Sequence, residues 1–365
     1  MNKINHYRRL SVFITLAFIL FSIYIVFDAS SIWAGYKYND EFYYLKRQSI
    51  YGVLAIIFFI IGMKFNLEKY RKFYIPFLLI SNILLVLVLI PGIGIQKGGS
   101  FSWLGFGSFT FQPSEFYKLS LIIFTADYIS NNYRKTSSIF SLFPVFISII
   151  IGGVLLMLQP DFGTFVVIGA ALIIMLFLSK MKIKYFVFGG SLVVILFAIM
   201  IISEPYRLQR IISFIDPFSD PLGSGFQIIQ SMFAIGPGGL LGTGINSSIQ
   251  KYYYLPEPQT DFIFAIIVEE FGFVGGVIII LLYFLLFYYL YQISIRKKSM
   301  FKYLLSMGLL SLIVVQVVIN LGVVTALFPV TGITLPFLSY GGSSLITLSF
   351  SVGLIIGDDK QCGFC

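Results

Sequence analysis

Ten apolar runs, each near the roughly 20 residues an α-helix needs to cross a bilayer, lie at about 10–28, 48–63, 73–90, 114–131, 139–158, 162–179, 185–202, 261–291, 303–325 and 337–357. No other feature constrains the fold as tightly. A segment in hydrocarbon must satisfy its own backbone, so runs of this length and composition fold as helices. Only 11% of the 365 residues are charged and 58% are hydrophobic, against roughly a quarter charged in a soluble domain. Segments so closely spaced pack together, which predicts one membrane domain over residues 1–365. The expected fold class is all-α: a polytopic transmembrane helical bundle of about ten spans, with a large extracellular loop at about 203–260 between spans seven and eight. The first run, Leu10 to Phe27, exceeds the roughly 7–15 residues of a signal-peptide core, and further spans follow, so it is read as a retained helix.

Charge orients the bundle. With the N-terminus inside, the cytoplasmic segments hold Lys3, Arg8 and Arg9, the 64–72 and 134–135 clusters, Lys180 to Lys184, Arg296 to Lys302, and Lys360, seventeen of the 25 basic residues. The opposite orientation would invert the positive-inside rule at every loop, so both termini are predicted to be cytoplasmic. The net charge of +9 is then topological, and no nucleic-acid partner is expected. Twelve of the sixteen acids lie toward the outer half. Acids contribute little to topology, so this bias points to function on that face. The chain shows no internal repeat and no matched pair of broken helices, which counts against a transporter.

Candidate chemistry concentrates outside. Segment 203–260 carries Arg207, Arg210, Asp216, Asp220, Lys251 and Glu257 among apolar and aromatic residues, the composition of an ordered functional loop. Its glycine stretch, Gly236 to Gly244, is no phosphate-binding P-loop, since the chain has no Gly-Lys pair. Cys362 and Cys365, with His6 at the far terminus, fall short of the roughly four ligands of a zinc site. Three similar motifs, Gln112-Pro-Ser-Glu115, Gln159-Pro-Asp161 and Gln259-Thr-Asp261, open spans four, six and eight at the outer surface. Their polar residues suit helix capping. They equally suit a polar floor for an anionic substrate, with Lys118 the charge partner of Glu115 on one helical face. Glu269 and Glu270 are expected about 12–13 Å deeper than Asp261 on a regular helix, with partners on a neighbouring helix or a role in proton transfer or ion coupling. Gly272 and Gly276 have the spacing of close helix packing. The basic loops at 180–184 and 296–302 suit contact with anionic membrane lipids.

Longer motifs carry a family resemblance. Pro205-Tyr-Arg-Leu-Gln-Arg210, Asp220-Pro-Leu-Gly-Ser-Gly-Phe-Gln-Ile-Ile-Gln230, Tyr254-Leu-Pro-Glu-Pro-Gln-Thr-Asp-Phe-Ile-Phe264 and Pro329-Val-Thr-Gly-Ile-Thr-Leu-Pro-Phe-Leu-Ser-Tyr-Gly-Gly-Ser-Ser344 resemble the SEDS family (shape, elongation, division and sporulation). With 112–119 and 159–164 the likeness runs from about 10 to 355, and it is nearest the FtsW and SpoVE branch, as in Asp28-Ala-Ser-Ser-Ile-Trp-Ala34. The resemblance implies an inverting peptidoglycan glycosyltransferase in the bacterial cytoplasmic membrane. It would polymerise lipid II at the outer face during division or sporulation, beside a class B penicillin-binding transpeptidase. It implies Asp261 as the catalytic carboxylate, with Glu115 and Lys118 lining the central cavity. Trp103, Gln112, Ser114, Asp161, Arg207, Arg210, Glu257, Gln259, Ser339 and Ser343 join these two as candidate substrate-binding residues. The leaving pyrophosphate needs positive charge, from Lys118, Arg207 or Arg210 or from a divalent cation, Mg or Mn, held by acids. A lipid II flippase and a non-catalytic division scaffold remain alternatives. The chain departs from the family pattern in its tail, Gly357-Asp-Asp-Lys-Gln-Cys-Gly-Phe-Cys365.

Overall fold

The apolar runs among the described residues fold as helices of alternating direction. In the computed structural model, which describes residues 2–97, 100–106, 109–133, 139–179, 181–183, 212–252 and 255–357, these are α1 (Asn2–Tyr38), α2 (Tyr43–Lys64), α3 (Tyr74–Val88), α4 (Pro113–Asn131), α5 (Phe143–Leu158), α6 (Phe162–Leu178), α7 (Phe226–Ile235), α8 (Ile263–Ser294), α9 (Met300–Val324) and α10 (Gly342–Ile356). Among the described residues five helical stretches, Lys3–Tyr38, Tyr43–Lys64, Leu67–Val88, Ile263–Ser294 and Met300–Val324, are long and apolar enough to cross a membrane. The seventh predicted run, Arg207, Arg210 and the cysteine tail lie outside the described residues.

Alternation gives the bundle two unlike ends. A loop-rich end gathers the connections 39–42, 89–112, 159–161, 325–341 and the described parts of 212–262. A basic end gathers Arg8, Arg9, Lys64 and the 65–73 and 295–299 turns. There Arg71 donates from Nε to Asp127 Oδ1 at 2.6 Å and from Nη2 to Ser130 and Asn131, and Lys302 lies 3.6 Å from Glu68. Among the described residues, Asp127 and Glu68 thus tie the 67–73 turn to α4 and α9. Between the ends, α2 runs along α10, α1 packs on α2 and α8, and α9 touches α4, α6, α8 and α10.

A small sheet joins this mainly helical fold, an element the sequence did not predict. Strands β1 (Gly94–Lys97), β2 (Ser100–Phe106) and β3 (Phe109–Phe111) pair antiparallel in that order, with Leu104 opposite both Gly94 and Phe111. Ser102 and Leu104 are buried while Phe101 is exposed, the period-2 alternation of a strand.

Gly272 breaks α8, so it is not the helix-packing position its spacing to Gly276 suggested. Its φ of 68° and ψ of −170° suit glycine alone. The break strands backbone groups on both sides, and such groups must find partners. The glycine stretch supplies them: Thr243 and Gly244 N–H donate to the carbonyls of Glu269 and Glu270 at 2.9 and 3.1 Å, while Phe273 and Val274 N–H donate to Gly239 and Leu240. A Cβ on Gly242, itself at φ +84°, would stand 2.0 Å from the Glu270 carbonyl oxygen.

This docking carries residues 246–251 onto the acids of α8. Glu269 accepts from the Ser248 hydroxyl at 2.5 Å and from Ile249 N–H at 2.7 Å; Glu270 accepts from the N–H groups of Asn246 and Ser248. Lys251, 2% exposed, donates to Glu270 at 2.9 Å, to Asp28 of α1 at 3.0 Å and to Asn246 at 2.7 Å. The partners of Glu269 and Glu270 are therefore the preceding loop and its lysine. Breaking a buried ion pair from one side costs ~3–5 kcal/mol. Lys251→Met is expected to lower the thermal midpoint of the detergent-solubilised protein strongly, and Asp28→Asn added to it is expected to recover part of the loss; an unshifted midpoint in Lys251→Met would refute the assignment.

Candidate functional site

Polar side chains converge where α4, α6 and α10 begin. Pro113 at the first turn of α4 needs no N–H partner and presets the helical φ. The next turns point Glu115 and Lys118 inward, 6% and 3% exposed. Lys118 donates to Glu115 Oε1 at 2.8 Å and Thr347 of α10 donates to Oε2 at 3.2 Å. Gln112 donates its N–H to Ser343 Oγ at 3.0 Å and its amide to Asp161 Oδ2 at 3.2 Å. Asp161 caps α6 by accepting from Thr164 N–H at 3.1 Å. Burial pushes its carboxyl above the ordinary range, against the Thr164 bonds and the charge of Lys118. Ser114 is fully buried among these groups.

The three similar motifs therefore serve three purposes. Asp161 is a cap, as its residue type suggests. Glu115 is spent on an ion pair and a hydroxyl. Asp261 lies one residue before Phe262, which holds the N-cap position of α8, so its expected capping role is not taken up. Its main-chain carbonyl accepts from Asn320 of α9 at 2.7 Å, and Asn320 also donates to Ile333. Its carboxylate stands beside Gly332, where a Cβ would lie 3.9 Å from Oδ2. The same 331–333 segment abuts the start of α6, since a Cβ on Gly163 would meet the Thr331 carbonyl at 2.6 Å. A single extended segment thus separates Asp261 from the Asp161 neighbourhood, and both lie at the loop-rich end.

Other candidates are structural in position. Ser339 donates to the Thr260 carbonyl at 2.6 Å and accepts from Leu335 N–H at 2.8 Å. Tyr340 N–H donates to the carbonyl of Gln259, itself 1% exposed. These bonds fix the backbone just before Asp261, while Ser343 joins α10 to α4. Glu257 is exposed at φ 45°, its carbonyl taking Thr260 N–H at 3.0 Å. Trp103 is half-buried on β2 opposite Ile95. Arg207 and Arg210 lie outside the described residues. Among the described residues no three His, Cys, Asp or Glu side chains form a group that could hold a metal ion.

Sequence reasoning missed Arg47, Tyr340, Asn320 and Thr347. Arg47 lies over the Tyr43 ring, 4.4 Å from its centroid, and beside the Tyr340 hydroxyl. Burial, with Tyr51 nearby, pushes that hydroxyl up despite Arg47. Gln316 with Asn320, and Ser343 with Thr347, are polar pairs at i,i+4 in apolar helices, a recognisable sign of an inward polar face.

The sequence model of the cell cycle protein family of FtsW, RodA and SpoVE matches residues 8–361. Stage V sporulation protein E of Bacillus subtilis is 44% identical over 348 residues, covering 95% of each chain. The probable peptidoglycan glycosyltransferase FtsW of Trichlorobacter lovleyi is 38% identical, covering 97% of this chain and 93% of the relative. Among solved structures, a chain from work on coordinated polymerization and crosslinking by a peptidoglycan synthase complex superposes with a TM-score of 0.78 at 29% identity, covering 95% of both chains. The rod shape determining protein RodA of Thermus thermophilus superposes with a TM-score of 0.67 at 26% identity, covering 95% of this chain and 94% of that one.

Ser339→Ala removes the donor to Thr260 and leaves the buried Leu335 N–H without its acceptor, a cost of about 1–3 kcal/mol. The expected result is a lower thermal midpoint in detergent; an unchanged one would show that Ser339 does not pin the 259–260 backbone.

Proposed function

The chain belongs to the FtsW, RodA and SpoVE family of cell cycle proteins, and from that premise we propose that it is a peptidoglycan glycosyltransferase polymerising lipid II. It is a multi-pass membrane protein, and its loop-rich end faces outward with both termini cytoplasmic; the positive-inside pattern of its basic end supports this orientation. The observation that carries the reading is the placement of Asp261 at the loop-rich rim, held by its backbone and flanked by Gly332. A lipid-linked sugar presents its reacting carbons at headgroup level, which is where such a rim meets it.

In the proposed step Asp261 takes the proton from the acceptor hydroxyl as its oxygen attacks the donor sugar's anomeric carbon. The bond from that carbon to the pyrophosphate oxygen breaks with inversion, and undecaprenyl pyrophosphate leaves with the electron pair. Positive charge must meet the leaving group. Lys118, Arg207 and Arg210 are assigned to it, and Arg47, on α2 beside the Tyr340 that holds Gln259, is a further cation. Glu115 orients Lys118 through their ion pair. No step is routed through a metal ion. The partner is a class B penicillin-binding transpeptidase, a reading supported by the structural neighbour from a peptidoglycan synthase complex.

A flippase would share substrate and cavity. Intramembrane charge available for coupling would favour it, but Glu269 and Glu270 are engaged by the 246–251 loop. Purified Asp261→Asn protein given lipid II in detergent, where flipping has no meaning, is expected to lose at least about 100-fold in glycan synthesis while keeping its thermal midpoint. Undiminished synthesis would sink the base assignment.

A further inference from the structure

Residues 221–250 carry no charged side chain, although they belong to the loop-rich end and not to a span. Within them the 239–244 turn is the part docked on the break in α8, and its tip is apolar: Leu240 is 71% and Leu241 80% exposed. The turn meets α8 at Phe273, which donates to the Gly239 carbonyl and is 61% exposed. Phe273, Ile280 and Phe284 are all exposed and follow at i, i+7 and i+11, one helical face. The two leucines therefore sit at the top of an open apolar face of α8.

Two helices measure the height of this turn independently. Along α8, Ser294 beside the basic end is about 32 Å from Phe273 at 1.5 Å per residue. Along α1, Arg9 is about 28 Å from Asp28 by the same rise, and Asp28 holds Lys251 shortly after the turn. The hydrocarbon core of a bilayer is about 30 Å thick. With the basic side chains at one boundary, the turn stands at the other.

Irregular backbone is tolerated at that depth only where protein pairs it. The carbonyls of Gly238, Gly239 and Leu240 accept from Gly242, Phe273 and Val274, and the N–H groups of Thr243 and Gly244 donate to Glu269 and Glu270. The first charge after the turn, Lys251, is buried against Glu270 and Asp28. The turn is thus built to meet hydrocarbon with side chains while its polar backbone stays engaged.

We propose that the 239–244 turn is a membrane anchor whose Leu240 and Leu241 insert among the acyl chains of the leaflet at the loop-rich end, beside Phe273. The occupant is bulk lipid, so the anchor depends neither on lipid II nor on the chemistry assigned to Asp261. It holds the loop leading to Asp261 at a fixed height above the hydrocarbon.

The test is a single nitroxide introduced by Leu240→Cys or by Leu241→Cys in the full chain, with Cys362→Ser and Cys365→Ser, reconstituted into vesicles of phosphatidylglycerol and phosphatidylethanolamine. Collision with oxygen, which partitions into hydrocarbon, is compared with collision with a water-soluble nickel chelate. Labels at Phe273→Cys and at Glu41→Cys, in the exposed 39–42 connection, give the lipid and water references. The expected oxygen-to-nickel ratio at 240 and 241 is close to that at 273 and severalfold above that at 41. A ratio equal to that at 41 would place the turn in water and overturn the proposal. Shielding of both labels from both reagents would overturn it too, since protein would then cover the leucines, whether the chain's own 185–202 run, which lies outside the described residues, or a second copy.

Discussion

The exchange of backbone hydrogen bonds between the broken α8 and the 239–244 turn is the contact on which the loop-rich end depends. A helix broken at Gly272 would leave carbonyls and N–H groups without partners where water is scarce, a state that membrane proteins tolerate only when protein supplies the missing bonds. The turn supplies them on both sides of the break. Once it is docked, residues 246–251 have one place to go, against Glu269 and Glu270, and Lys251 reaches past them to Asp28. The loop leading to Asp261 is thus anchored ten residues upstream by an ion network and immediately upstream by Ser339 and Tyr340.

Buried charge is handled in two different ways. Lys251 pairs with two carboxylates, Asp28 and Glu270, while the adjacent Glu269 is met by a hydroxyl and backbone N–H donors. Lys118 and Glu115 form a simpler pair, one charge of each sign, trimmed by Thr347. Neither arrangement is an efficient source of stability, since apolar side chains of equal volume would hold the helices as well. Ion pairs add direction. One binds a loop to two helices, and the other sets a lysine at the convergence of α4, α6 and α10.

Much of this was legible in the sequence because hydropathy is a strong signal in a membrane. Helix positions, their alternation and the basic end follow from run length and charge placement. The sheet at 94–111 did not, because its strands are short and rich in aromatics on both faces, so period-2 patterning is faint. The break at Gly272 lay inside the run 261–291, whose length beyond one span was itself a hint. The three Gln-containing motifs read alike yet diverged, because the first residue of a helix is set by tertiary contacts. Ser339 and Tyr340 hold residues 259 and 260 out of the helix, and α8 therefore starts at Ile263. Glu115 and Lys118 are buried where α4, α6 and α10 meet, and Ser339, Gln259 and Ser343 take part in bonds that join backbone segments. Arg47 escaped notice because its partner, Tyr340, is distant in sequence.

The late start of α8 has a chemical consequence. Had the helix begun two residues earlier, Asp261 would have been drawn into its first turn, where N–H donors favour the ionised carboxylate and weaken it as a base. Phe262 takes the N-cap position instead, with no side-chain cap bond. Asn320 holds the main-chain carbonyl of Asp261 from α9 and, through Ile333, aligns the segment that carries Gly332. The carboxylate lies beside Gly332. The proposed base needs a fixed backbone, and the clamp from α9 supplies one for Asp261.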